Sequence, residues 1–209
     1  MTESSTPATP TDNTSNERHR LRMQKLKAQV DARIAAAQDD KGLLLVLTGN
    51  GKGKSTSGFG MVARAVGHDF SAGVAQFIKG TWECGERNLL QKAGVVFYVM
   101  ETGFTWDTQD RESDMAAAQS VWAEAKALLQ NPDIDVVMLD EITYMLTYQY
   151  LDLDDVLDAL VNRPIQQHVI VTGRACHRAL IEMADTVSEV NSTKHAFDNG
   201  IKAQKGIDW

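Results

Sequence analysis

The stretch Leu43-Leu44-Leu45-Val46-Leu47 followed by Thr48-Gly49-Asn50-Gly51-Lys52-Gly53-Lys54-Ser55-Thr56 decides the fold. Its first five residues are an unbroken apolar run, as expected of a strand buried on both faces of a sheet. The nine that follow carry glycine at 49, 51 and 53, and the segment Lys54–Val66 then reads as a helix. A strand, a glycine-rich turn and a helix in immediate succession form the setting that a phosphate-binding loop, or P-loop, requires. Glycine lets the backbone turn tightly and aim N–H groups inward, where they can surround phosphate oxygens. The start of the helix adds further unpaired N–H groups and a favourable dipole. Lys54 supplies a point charge along the phosphates, and the Ser55 hydroxyl a ligand for Mg²⁺. One position departs from the standard pattern. Thr48 stands where glycine is usual, so on these residues alone a coincidental glycine-rich turn stays open as the alternative.

Working outward, similar apolar runs recur at Ala72–Phe77, Val95–Val99, Ile134–Leu139 and His168–Val171, with a weaker one at Thr186–Val190. Between them lie segments of helical composition: Arg87–Lys92, Gln109–Leu129, Leu153–Leu160 and His177–Met183. Apolar strands alternating with helices predict an α/β fold with a mostly parallel central sheet and helices on both faces. The order of the strands does not follow from this pattern. The fourth run ends in Asp140-Glu141. In open α/β sheets, ligands collect beyond the C-terminal ends of the strands, where the glycine-rich loop also lies. Asp140 or Glu141 is therefore expected to hold a metal ion, directly or through water. A nucleotide-driven motor or a kinase fits all of these features equally well.

The 209 residues suffice for one substantial core, and 43% hydrophobic with 23% charged residues is ordinary for a globular chain. No stretch approaches the roughly 18 apolar residues that span a bilayer, and MTESSTPATPTDNTSNE lacks the basic start and apolar run of a secretory signal. A cytoplasmic protein without a membrane partner is expected. The net charge of −7 argues against a broad nucleic-acid surface, although a few amides and lysines suffice to hold a triphosphate. Cys84 and Cys176 form no CxxC pair and read as free thiols. Residues 1–16 read as a disordered tail, residues 17–39 as a helix and residues 40–209 as the main domain. Within the helix, Leu26, Val30 and Ile34 make one narrow apolar stripe that ends at Arg22.

Three further segments carry unusual loop chemistry. Glu101-Thr102-Gly103-Phe104-Thr105-Trp106-Asp107 sets two large aromatics in a turn, either to cap a core or to offer a flat wall to a large planar ligand. Thr172-Gly173-Arg174-Ala175-Cys176-His177-Arg178 groups donors at a strand end, as an anion site or a solvated loop. Cys176 and His177 are neighbours without an orienting third group, which argues against a catalytic dyad. The five histidines form no spaced metal-binding set. The closing segment Lys194–Trp209 reads as an irregular tail packed across the domain.

At these residues the chain resembles the cobalamin-biosynthesis type of cob(I)alamin (cob(I)yrinic acid a,c-diamide) adenosyltransferase. The landmarks are TGNGKGKST at 48–56, FIKG at 77–80, GERNLL at 85–90, TGFTWDTQDRE at 102–112 and LDEITYML at 139–146. They continue with TGRACHR at 172–178, ADTVSEV at 184–190 and KHAFDNGIKAQKGIDW at 194–209. The family itself uses the modified loop with Thr48. The resemblance implies a P-loop, RecA-like domain that works as a homodimer on ATP, Mg²⁺ and a corrinoid, with a reduced-flavin or flavodoxin-type electron donor. It assigns the triphosphate to Gly49, Asn50, Gly51, Lys52, Gly53, Lys54, Ser55 and Thr56, and places Arg64 at or near the nucleotide. Mg²⁺ falls to Ser55 and Glu141, with Asp140 nearby. Phe104 and Trp106 match aromatics that pack against the lower side of the corrinoid, and the N-terminal helix matches one that helps cover an active site at the dimer interface. Two positions depart from the family: Ala175, where glycine is usual, and Ser55, where threonine is usual. The implied reaction is substitution at carbon, in which cobalt(I) is the nucleophile and no side-chain base is needed. The rival activities are those of a P-loop ATPase or small-molecule kinase and of a non-enzymatic nucleotide switch.

Overall fold

The computed structural model describes residues 10–78, 83–100 and 110–209, and side chains from residue 16 onward. The aromatic segment with Phe104 and Trp106 lies outside the described residues, as do residues 1–9 of the expected tail. The chain divides into one unit ending at Asp40 and a second running Lys41–Trp209. The first unit holds helix α1 (Pro10–Ala36), which begins earlier than position 17. Proline is well tolerated at a first helical position because its missing N–H would find no intrahelical partner there. Along α1 the stripe of Leu26, Val30 and Ile34 is exposed.

In the second unit the elements run β1 (Leu44–Thr48), α2 (Lys54–Val66), β2 (Ala72–Gln76), α3 (Gly85–Lys92), β3 (Val96–Val99), α4 (Arg111–Gln130) and β4 (Val136–Asp140). They continue with α5 (Ile142–Thr147), α6 (Leu153–Val161), β5 (His168–Thr172), α7 (Arg178–Met183), β6 (Thr186–Glu189) and a 3₁₀ turn at Phe197–Asn199. The six strands form one sheet in the order β3-β2-β4-β5-β1-β6, and every pairing is parallel.

Each expected strand is present, and the central ones show why their sequences lack alternation. Along β4, Val137 and Leu139 pack into one core with Trp122, Ile142, Leu160 and Val171. Val136 and Met138 face the opposite core with Phe59, Val62, Val74 and Ile170. Both faces of the sheet are covered by helices, so every position of β4 must be apolar until Asp140. At the edge, β6 is exposed along its whole length, in keeping with its weak apolar signal.

Helix starts follow side-chain capping. Asp110 accepts from the Ser113 N–H and Asp152 from the Asp155 N–H, so α4 begins at Arg111 rather than 109. Trp122 Nε1 donates to Asp155 Oδ2 at 2.6 Å, tying α4 to α6 across the surface of one core. Helix α5 was not legible as a separate element. Its six residues are too few to display a period.

Candidate active site

The loop between β1 and α2 is shaped by its glycines and braced by β6. Gly49 has φ 97° and Gly53 φ 115°, conformations that an L side chain strains to adopt. A Cβ on Gly49 would meet the Val190 carbonyl oxygen at 2.5 Å. The Val190 N–H donates to Thr48 O at 2.8 Å, and the Gly51 N–H donates to Val190 O at 2.6 Å. One loop N–H is thus engaged by the strand end rather than turned to a ligand. Gly53 caps α2, and the buried Lys54 turns back over the loop so that Nζ donates to Gly51 O at 2.8 Å.

Beyond the C-terminal ends of the strands lies a cleft of ≈ 380 Å³. Asn50, Gly51, Lys52, Gly53, Lys54, Ser55 and Thr56 line it, with Glu141 on the other side. The structure therefore brings together most of the residues expected at the phosphates. Gly49 sits behind the lining, against Val190. Asp140 does not line the cleft. It is fully buried, with Oδ1 accepting from Thr172 Oγ1 at 2.7 Å and Oδ2 from Gln76 Nε2 at 3.0 Å. Arg64 is not brought to the cleft either. It lies ten residues along α2 from Lys54, about 15 Å by helical rise, beside a separate apolar pocket with Met61, His68 and Phe70.

The cleft also takes side chains from elsewhere in the unit. Arg174 lines it, whereas its neighbours in the same segment serve the fold. His177 caps α7 by accepting from the Ala179 N–H at 3.2 Å, and Arg178 pairs with Glu182 at 2.7 Å. Ala175 adopts φ 48°, the left-handed conformation that its usual glycine would favour. Glu83, Cys84 and Glu86, at the start of α3, form another wall with Tyr144 of α5. Burial and the negative charge of Glu141 raise the Tyr144 hydroxyl above its ordinary pKa, and Arg174 opposes them in part. It therefore stays a neutral donor at physiological pH.

The closing segment contributes His195, Ala203, Asp208 and Trp209. Lys52 Nζ lies 2.7 Å from Asp208 Oδ1, and this contact, with the Gln204 N–H on the same carboxylate, holds Asp208 below the usual carboxylate range. Lys205 reaches Glu83 at 3.4 Å. The tail thus runs across the domain as expected, but as part of the cleft. No local pattern at 203–209 signals this, since Lys52 and Asp208 are more than 150 residues apart. As a donor set, the Ser55 hydroxyl and the Glu141 carboxylate supply the hard oxygen ligands that suit Mg²⁺ held partly by substrate phosphates.

The family described as ATP:corrinoid adenosyltransferase BtuR/CobO/CobP matches residues 40–209. A second, described as Cob(I)alamin adenosyltransferase N terminal, matches residues 9–34. The corrinoid adenosyltransferase of Escherichia coli (strain K12) is 60% identical over 195 residues, which span 93% of this chain and 100% of the relative. For corrinoid adenosyltransferase CobA of Salmonella typhimurium the identity is 58% over the same shares. For the corrinoid adenosyltransferase of Pseudomonas aeruginosa it is 52%, over 93% of this chain and 97% of the relative. On a match that runs the length of its main domain and reaches into α1, this chain belongs to the ATP:corrinoid adenosyltransferase family.

Proposed function

We propose that this chain transfers the 5'-deoxyadenosyl group of Mg-ATP to the reduced cobalt of a corrinoid, cob(I)alamin or cob(I)yrinic acid a,c-diamide, and releases inorganic triphosphate. The observation that carries this reading is the convergence of loop residues 50–56, Glu141 and Arg174 on one cleft in a chain of this family. In the reaction, the electron pair of cobalt(I) forms the bond to C5' of the ribose. The C5'–O bond breaks, and its electron pair leaves with the triphosphate. Cobalt is thereby oxidised to cobalt(III), and no proton has to be removed from the nucleophile.

The work left to the protein is positioning and stabilisation of the leaving charge. The glycine-rich loop acts as a RecA-like P-loop: its remaining N–H groups and Lys54 surround the triphosphate, while Ser55 and Glu141 hold the metal. Mg²⁺, when bound, supplies electrostatic stabilisation of the triphosphate oxygens. Asn50, Lys52 and Thr56 complete the phosphate side, and Phe104 with Trp106 shields the lower face of the corrinoid from an axial water. Loss of that ligand makes cobalt easier to reduce.

The working unit on this reading is a cytoplasmic homodimer in which α1 covers a neighbouring site and Arg64 acts near the nucleotide. Electrons come from a reduced flavin or a flavodoxin-type protein. These assignments rest on the resemblance; among the described residues no helix is long and apolar enough to cross a membrane.

The test is anaerobic turnover with ATP, Mg²⁺ and chemically reduced cob(I)alamin, following the light-sensitive cobalt–carbon product and triphosphate together. Equal amounts of the two support the proposal. Release of ADP or phosphate without a cobalt–carbon bond would move the chain to the ATPases or kinases.

A further inference from the structure

Two adjacent carboxylates end β4, and the structure gives them different surroundings. Glu141 lines the cleft, whereas Asp140 is wholly buried behind it. Both Asp140 oxygens accept hydrogen bonds, one from Gln76 at the end of β2 and one from Thr172 at the end of β5. Thr172 is itself fully buried. Its hydroxyl gives its proton to Asp140 and accepts the Glu141 N–H at 3.0 Å. Glu141 makes this bond with a left-handed backbone, at φ 61° and ψ 21°, where the chain leaves the strand and enters α5. A continuous hydrogen-bonded line thus runs from Gln76 through Asp140 and Thr172 to the Glu141 backbone, across three neighbouring strands.

We propose that Thr172 is a positioning residue for the Glu141 carboxylate, and that Asp140 acts through Thr172 rather than as a metal ligand. The inference rests on the reading that Glu141 holds Mg²⁺. The Thr172 hydroxyl fills the position in both of its roles. It must donate to a carboxylate and accept from an N–H at once, and valine of the same shape can do neither. Removing the hydroxyl leaves Asp140 without one of its donors and frees the strained Glu141 backbone to rotate, which moves the carboxylate away from the metal position.

The test measures Mn²⁺ binding by electron paramagnetic resonance to the full-length protein carrying a non-reactive ATP analogue, alongside analogue affinity without metal. Thr172→Val is expected to weaken Mn²⁺ binding by about 10- to 100-fold, the usual range for loss of a residue that orients a metal ligand. Metal-free analogue affinity should stay unchanged, and Thr172→Ser should restore most of the metal affinity. Glu141→Gln reports on the underlying reading: if it leaves Mn²⁺ affinity intact, the metal assignment itself fails. If Glu141→Gln weakens binding and Thr172→Val does not, the positioning role is overturned. Should Thr172→Val fail to fold, Thr172→Ala, alone and combined with Asp140→Asn, decides. Coupled losses in that pair support one line of residues, and independent, additive losses overturn it.

Discussion

Replacing Ala175 by glycine should stabilise this protein. Ala175 has φ 48° in the segment that follows β5, a conformation in which an L residue pays for the approach of its Cβ to the following carbonyl. That strain costs about 1–2 kcal/mol, and glycine removes most of it. Against this, glycine gives the unfolded chain more freedom, worth about 0.4–1 kcal/mol. Ala175 is exposed, so loss of its methyl group sacrifices almost no packing. The central values differ by about 0.8 kcal/mol in favour of glycine, which for a domain of this size corresponds to a rise in Tm of about 2–3 °C. Differential scanning calorimetry of the full chain, with and without Ala175→Gly, reads this directly. Because Arg174 lines the cleft next to it, ATP affinity should be compared in the same pair of proteins. An unchanged or lower Tm would refute the claim that this backbone is strained, and would mean the segment relaxes around alanine.

Lys54→Ala should weaken ATP binding by on the order of 10- to 100-fold, since a charge-assisted hydrogen bond is worth about 1.5–3 kcal/mol; equilibrium dialysis showing native affinity would count against the assignment. Phe104→Ala and Trp106→Ala should each lower adenosyl transfer more than ATP binding, and equal loss of both would remove their proposed role at the corrinoid. Asp185 accepts from the Leu44 N–H and pairs with Lys41, which holds its carboxyl below the usual carboxylate range. A depressed folded-state pKa contributes stability above the unfolded value of about 3.9 that is lost as pH falls through the folded pKa. Asp185→Asn should therefore flatten the acid limb of a stability profile below about pH 4, and an acid limb identical to wild type would contradict it.

The parts of the fold that could be read from sequence were those whose signal is local. The apolar run Leu43–Leu47, the glycines at 49, 51 and 53 and the helix from Lys54 sit next to one another, and so do Val136–Leu139 and their acids. Parallel strands with both faces covered carry no alternation, so the partition of β4 between two cores could not be seen beforehand. Strand order was equally hidden, because β1 sits between β5 and β6 and its neighbours come more than 100 residues later. The same limit explains the site. Lys54, Ser55 and Glu141 were legible, whereas Asp208 and Trp209 enter the cleft through long-range contacts. Arg64 shows the same limit: its place on α2 is local, but the pocket it borders, with His168 and Ile170 of β5, is set by the packing of the sheet.

The balance of charge in the cleft bears on how the proposed chemistry is divided. Its cationic side chains are Lys52, Lys54 and Arg174, and Glu83, Glu86, Glu141 and Asp208 face them. Among the described residues, side chains alone therefore make no strongly positive pocket, in keeping with a chain of net charge −7. Lys52 is already matched to Asp208, and Lys54 is anchored on the Gly51 carbonyl. On the proposed reading, affinity for a triphosphate would come chiefly from oriented loop N–H groups, from Lys54 and from a metal that Ser55 and Glu141 would hold. Such a site is tuned to geometry more than to total charge. Once the C5'–O bond breaks, the departing triphosphate carries one further negative charge past the acids of the cleft. A strongly cationic pocket would hold that product, whereas here the charge of Lys52 is already offset by Asp208.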